Sequence, residues 1–197
     1  MDHRKAEDML SALGTVMEEQ DIDPVDMVIC GAMVLRLLGV TDRPTRDIDG
    51  LGLVVEEGDS LVLRKPLMSG EFKAAVERVG SLFNEGRHWF STAARVLHDD
   101  TELPADLIEM AQARSYGKRL TIRLCSRRHM VCLKMWAAVH RGEPDIGDLI
   151  AMEVSAREAE AGAAWCLEQD REVLPEIQAV LEEVGHGELA RRLGEDN

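Results

Sequence analysis

The stretch Met27-Val28-Ile29-Cys30-Gly31-Ala32-Met33-Val34-Leu35-Arg36-Leu37-Leu38-Gly39, followed by Arg43-Pro44-Thr45-Arg46-Asp47-Ile48-Asp49, decides how the rest of the chain is read. Residues 27–30 form a short apolar run, read as a buried strand. Gly31 opens a helix over 32–38, and Gly39 stands in the position of a C′ glycine. Where a strand ends and a helix begins, free backbone N–H groups point above the strand, an arrangement that favours an anion. Arg43-Pro44-Thr45 makes a bend, and 47–55 reads as a second strand, so Asp47 and Asp49 stand at i and i+2. Side chains so spaced share one face, roughly 6.5–7 Å apart. Two carboxylates in that relation suit Mg²⁺ ions that also bind phosphate oxygens. A D-x-D pair alone is common by chance, as is a strand–Gly–helix junction; the two in this order are informative together.

Outward from this stretch, residues 4–19 have helical periodicity, with Ala6, Met9, Leu10, Leu13 and Met17 on one face. Residues 56–70 read as a loop with a small strand at 61–63, and Phe72 to Phe83 as a helix. Leu103-Pro104 ahead of 105–113 predicts a Pro-initiated helix, and 120–124 alternates in polarity as a strand does. From Ser126 the pattern is helical throughout. Ser126 is placed to cap a helix over 127–141, Pro144 to start a short one, and Ser155-Ala156-Arg157-Glu158 is a capping-box pattern before a helix ending near Asp170. One or two acidic helices finish the chain. The expected class is α+β: a small mixed β-sheet packed by helices, with 1–125 as an α/β core including the N-terminal helix and 126–197 as a helical C-terminal part.

The chain has 197 residues, 45% of them apolar, enough for a substantial core and too apolar for disorder. No apolar run approaches the roughly 20 residues that cross a bilayer, so no membrane association is expected. Four cysteines without a CxxC pair, and an N-terminus without a signal-peptide core, point to a cytoplasmic protein. The net charge of −14 argues against non-specific coating of nucleic acid. Yet Arg114, Lys118, Arg119, Arg123, Arg127, Arg128 and Lys134 form a run with no acid between them. That run is either a local basic surface for a nucleotide or an RNA end, or a solvated face.

The segment Cys30-Gly31-Ala32, then Gly39, then Arg43-Pro44-Thr45-Arg46-Asp47-Ile48-Asp49, resembles the opening motif of the nucleotidyltransferase superfamily. It is most similar to the small prokaryotic branch that includes the AbiEii-type toxins of toxin–antitoxin systems. The run 129–138 resembles that branch's lysine-bearing helix, and Arg141 with Asp145-Ile146-Gly147-Asp148-Leu149 its Arg-then-Asp-x-x-Asp-Leu continuation. Leu103-Pro104 and Trp89 fit as well, so the resemblance spans roughly 28–152. It implies a nucleotidyltransferase-type sheet and Asp47 and Asp49 as Mg²⁺ carboxylates. It implies Gly31 as backbone support for a triphosphate, Lys134 as its phosphate partner, and Asp145 as the acid that orients Lys134 or serves as base. The implied activity is NTP–Mg²⁺ binding with transfer of a nucleotidyl group to an RNA or protein acceptor, in a chain held by an antitoxin-like partner. Two departures stand out. Cys30-Gly31-Ala32 lacks the hydroxyl many members carry, and strand 120–124 has Arg123 where a third carboxylate is common; Asp106 or Asp99 would have to approach from elsewhere. The alternative is therefore a catalytically silent protein that acts through a partner.

Other groupings read as structure. Cys125, His129 and Cys132 stand at i, i+4 and i+7, but buried thiols behave as small hydrophobes and a fourth zinc ligand is lacking. His88 and Trp89 are placed either to stack on a base or to anchor a loop, the latter being expected of Trp89 and Phe90. His98-Asp99-Asp100 reads as a solvated loop.

Overall fold

In a computed structural model of the chain, the residues described are 1–92 and 102–195. They fall into two compact units: 1–92 with 105–126, and 102–104 with 127–195. The first holds α1 (His3–Glu19), β1 (Val25–Cys30), α2 (Gly31–Leu37), β2 (Ile48–Glu57), β3 (Ser60–Arg64), α3 (Gly70–Leu82), β4 (Phe90–Ser91), α4 (Leu107–Met110), β5 (Gln112–Tyr116) and β6 (Leu120–Leu124). The second holds α5 (Arg127–Arg141), α6 (Asp145–Ala151), α7 (Ala156–Gln169), a 3₁₀ turn (Arg171–Val173), α8 (Leu174–Glu183) and α9 (Gly187–Glu195). The class is α+β, with a six-stranded mixed sheet and a helical C-terminal part.

The sheet runs β3-β2-β1-β6-β5, with β4 also on β2. β1 is antiparallel to β2 and parallel to β6, so it sits mid-sheet, and Met27, Val28 and Ile29 are fully buried. Strands covered on both faces read as continuous apolar runs, as Met27 to Cys30 does. α1 starts at Asp2, whose side chain accepts from the Lys5 N–H at 2.9 Å. Its face of Ala6, Met9, Leu10, Leu13 and Met17 is fully buried. At Gly14 a Cβ would fall 1.9 Å from the Tyr116 carbonyl oxygen, so the missing side chain allows α1 to lie directly on β5. Trp89 is buried and donates from Nε1 to the Val76 carbonyl at 2.8 Å, while Phe90 meets both Phe72 and Trp89 edge-on. The loop-anchor role is the one observed, and Trp89 offers no face to a base.

The largest difference from expectation lies at 105–116. The predicted helix over 105–113 is helical only at Leu107–Met110, and Gln112–Tyr116 is instead a strand paired residue for residue with β6. The hairpin is closed by Gly117 at φ +76°. β5 is also fastened to α1: Arg114 Nη1 reaches Glu7 Oε1 at 2.6 Å and the Tyr116 hydroxyl donates to Glu7 Oε2 at 2.7 Å. Burial and that carboxylate push the Tyr116 hydroxyl well above its ordinary pKa. Ladder and side-chain bonds together outweigh a weak local helix preference.

In the helical unit, α7 has the capping box expected from Ser155 and Glu158, with Arg127 Nε donating to Glu158 Oε1 at 2.7 Å. Trp136 packs edge-on against His140 and Trp165. Among the described residues no helix is long and apolar enough to cross a membrane.

Candidate functional site

The sheet unit carries the first cluster. β1 ends at Cys30 and α2 begins at Gly31, where the backbone turns with φ +81°. Asp49, the second residue of β2, pairs in register with Cys30. Its carboxylate lies over the turn: a Cβ on Gly31 would stand 2.3 Å from Asp49 Oδ2. Asp47 differs from expectation: it directly precedes β2 instead of lying on it, so only Asp49 stands on the strand, and the intervening Ile48 is fully buried. Both aspartates are half-buried, so they can hold a ligand while keeping contact with water. Thr45 Oγ1 donates to the Asp47 carbonyl at 3.4 Å, and β4 flanks the pair, with Ser91 opposite Asp49.

Among the described residues, no third carboxylate joins them in a metal-binding group: no three or more His, Cys, Asp or Glu side chains are placed to hold a metal ion. That covers Asp106, the residue before α4; Asp99 and the His98-Asp99-Asp100 segment lie outside the described residues. On β6, Arg123 pairs with Asp26 of the adjacent strand through Nε–Oδ1 at 2.8 Å and Nη2–Oδ2 at 2.7 Å. That fork raises the guanidinium's pKa further.

The helical unit carries the second cluster. Lys134 on α5 is 6% exposed, and Asp145 and Asp148 on α6 are each 1% exposed. Lys134 Nζ donates to Asp145 Oδ1 at 2.8 Å and lies 2.5 Å from Asp148 Oδ2. The other oxygen of Asp145 accepts from Arg141 Nη2 at 2.7 Å, and Arg141 is 44% exposed. Two cations and two carboxylates thus form a neutral network with three members buried. Asp145 therefore has cations on both oxygens, which suits it to hold Lys134 in place better than to accept a proton. In the sequence, Asp148 and Arg141 stand out only as part of the Arg-then-Asp-x-x-Asp-Leu pattern. Their signal is spacing: Asp148 follows Asp145 by three residues on α6, and Arg141 follows Lys134 by seven on α5, so each helix turns both residues to one side.

The basic run is largely neutralised. Arg114 pairs with Glu7, Arg119 with Asp21, Arg123 with Asp26, Arg127 with Glu158 and Lys134 with the α6 aspartates. Five of the seven residues of that run are thus ion-paired within the chain, an arrangement that neither the basic-surface nor the solvated-face reading anticipated. The four cysteines are all free and buried. Cys125 precedes α5, so it does not continue the helix face of His129 and Cys132. Burial, with Cys132 nearby, pushes the Cys166 thiol well up, and an un-ionised thiol is a poor nucleophile.

Compared with protein-family models, with curated proteins and with solved structures, the chain matches none. The functional reading rests on the two clusters themselves and on the motif order.

Proposed function

We propose that the chain is a nucleotidyltransferase-type protein that binds a nucleoside triphosphate with Mg²⁺ and transfers a nucleotidyl group to an RNA or protein acceptor. The observation that carries this reading is the Asp49 carboxylate over Gly31 at the β1–α2 junction, with Asp47 two residues before it. Two half-buried carboxylates are a donor set that fits Mg²⁺, which is commonly held by one or two carboxylates while water and substrate phosphates fill its octahedron. Bound there, the ion would neutralise phosphate charge and polarise the phosphorus under attack. Asp47 and Asp49 hold it, and Gly31 keeps the turn open for their approach. Lys134 and Asp145 enter through the motif resemblance, Lys134 as the cation for a phosphate and Asp145 as its positioning partner. A toxin–antitoxin role, with an antitoxin-like protein as partner, belongs to the same proposal.

Calorimetric titration of each nucleoside triphosphate, with and without Mg²⁺, tests it. Binding that needs Mg²⁺ and vanishes in Asp47→Asn/Asp49→Asn is the expected result. Unchanged binding in that folded double variant overturns the reading. A second reading, a catalytically silent member of the same fold that works through a protein partner, is favoured by Arg123 standing locked to Asp26 where a third acid would be useful. It predicts no Mg²⁺-dependent binding by the folded wild-type chain.

A further inference from the structure

β3 (Ser60–Arg64) ends the sheet on its side: it pairs with β2, and among the described residues no strand pairs with its other edge. The two-residue turn Gly58-Asp59 joins β2 to β3 and is closed by the pair Glu57 and Ser60, with Gly58 at φ +62°. A turn of this length bonds the first carbonyl to the fourth N–H. In the alternating antiparallel ladder, Ser60, Val62 and Arg64 therefore turn their backbone groups toward β2. Leu61 and Leu63 turn theirs to the open edge.

Exposed edges are usually blunted by a bulge, a proline or a charge within the strand. Here the register with β2 runs unbroken from Ser60 to Arg64, and the middle of the strand is Leu61-Val62-Leu63. The one charged residue of β3, Arg64, is drawn back along the hairpin to Glu57, its Nε donating to Oε1 at 2.8 Å. The single turn α4 lies beside the strand, yet Leu61 is 46% exposed, and Leu67, just past the strand, is 86% exposed.

What fits this edge is indicated by the charges at its two ends. Asp59 precedes the strand and Lys65 follows it, both exposed. Antiparallel pairing with a second copy, centred on Val62, sets Leu61 opposite Leu63 of the second copy and so satisfies every outward-facing group on both strands. The same register sets Asp59 opposite Lys65 of the second copy, and by two-fold symmetry Lys65 opposite its Asp59. Registers centred on Leu61 or Leu63 place a leucine against Lys65 or Asp59 and lose this match, and parallel pairing sets like charges side by side. The segment is thus complementary to itself in backbone, apolar and charged groups together.

We propose that the chain forms a two-fold dimer through β3, joining two sheets edge to edge with Val62 on the axis. The interface is separate from the transferase reading, whose carboxylates lie at the opposite end of β2 from the hairpin turn. A ladder this short buries little area, so the dimer should be reversible and depend on concentration.

The test is sedimentation equilibrium of the full chain over a range of concentrations at about 0.15 M salt. There the Debye length is about 8 Å, and the mutual repulsion of two chains of net −14 is screened. A monomer–dimer equilibrium is expected. Leu61→Lys should weaken it by about tenfold or more, because each symmetric cross-strand pair is lost twice. Asp59→Lys alone and Lys65→Asp alone should each weaken it by about fivefold by setting like charges opposite, and the double exchange Asp59→Lys/Lys65→Asp should restore it. Both positions are exposed, so these variants keep the fold even where Leu61→Lys does not. Amide hydrogen exchange gives a second readout. The Leu61 and Leu63 amides should slow as the dimer fills, while Val62, bonded to β2 in both states, should not change. A chain that stays monomeric at every concentration overturns the proposal. So does a dimer in which the double exchange fails to rescue the single ones, or in which Leu61, Val62 and Leu63 exchange alike.

Discussion

At Gly31 an L side chain would meet two penalties at once. The backbone sits at φ +81°, and a Cβ would approach Asp49 Oδ2 to 2.3 Å. The left-handed conformation alone costs a non-glycine residue about 1–2 kcal/mol. Gly31→Ala should therefore lower the urea midpoint by about that free energy and weaken Mg²⁺-dependent triphosphate binding, because the carboxylate must move. An unchanged midpoint would mean the turn relaxes without cost. Lys134 poses the opposite problem, since it is surrounded rather than left open. With Asp145 and Asp148 both nine-tenths buried or more, removing the ammonium takes a cation from two buried carboxylates and leaves Arg141 on Asp145. Breaking a buried pair this way costs about 3–5 kcal/mol. Lys134→Met should lose stability of that order in equilibrium unfolding, and a loss below about 1 kcal/mol would show that the network does not depend on the ammonium.

Among the elements, α7 shows how a local signal acquires a tertiary partner. Ser155 and Glu158 close the capping box, and Arg127 from α5 then binds the same Glu158 carboxylate. The Arg127 hydrogen bond, ahead of the bonds to Ser155, holds Glu158 down to about 2 from its ordinary 4.5. A carboxyl group whose pKa is depressed by folding contributes stability that is complete above its unfolded pKa and lost as pH falls through its folded one. The stability gap between wild type and Glu158→Gln should thus be widest above about pH 5 and close toward pH 2, as read from urea unfolding at stepped pH. A pH-independent gap would assign the effect to packing. The hairpin of β5 and β6 is the counterexample among elements. Nothing within 112–116 outweighs a helical reading, because the strand is stabilised by β6 and by Glu7, which is 107 residues from Arg114 and 109 from Tyr116.

For the molecule as a whole, charge is arranged by pairing more than by patches. The sheet unit draws acids from α1 and β1 to cover the arginines of β5 and β6, and the helical unit does the same with Glu158 and the α6 aspartates. Most of the cationic run legible along the chain is therefore ion-paired in the fold, while Lys73 and Arg87, 14 positions apart and unremarkable in sequence, line one cavity. The sequence by itself determined the β1–Gly31–α2 junction, the buried face of α1, the caps of α2 and α7, and the mixed-sheet-then-helices order. Each depends on interactions among residues a few positions apart, where spacing alone carries the energetics. Tertiary structure decided the β5 strand, the seating of Asp49 over Gly31, the capture of Lys134 by Asp148 as well as Asp145, and the partners of Arg114, Arg119, Arg123 and Arg127. Those outcomes depend on which groups the fold brings opposite one another, as with Arg123 and Asp26 at a separation of 97 residues, and no local pattern encodes the partner.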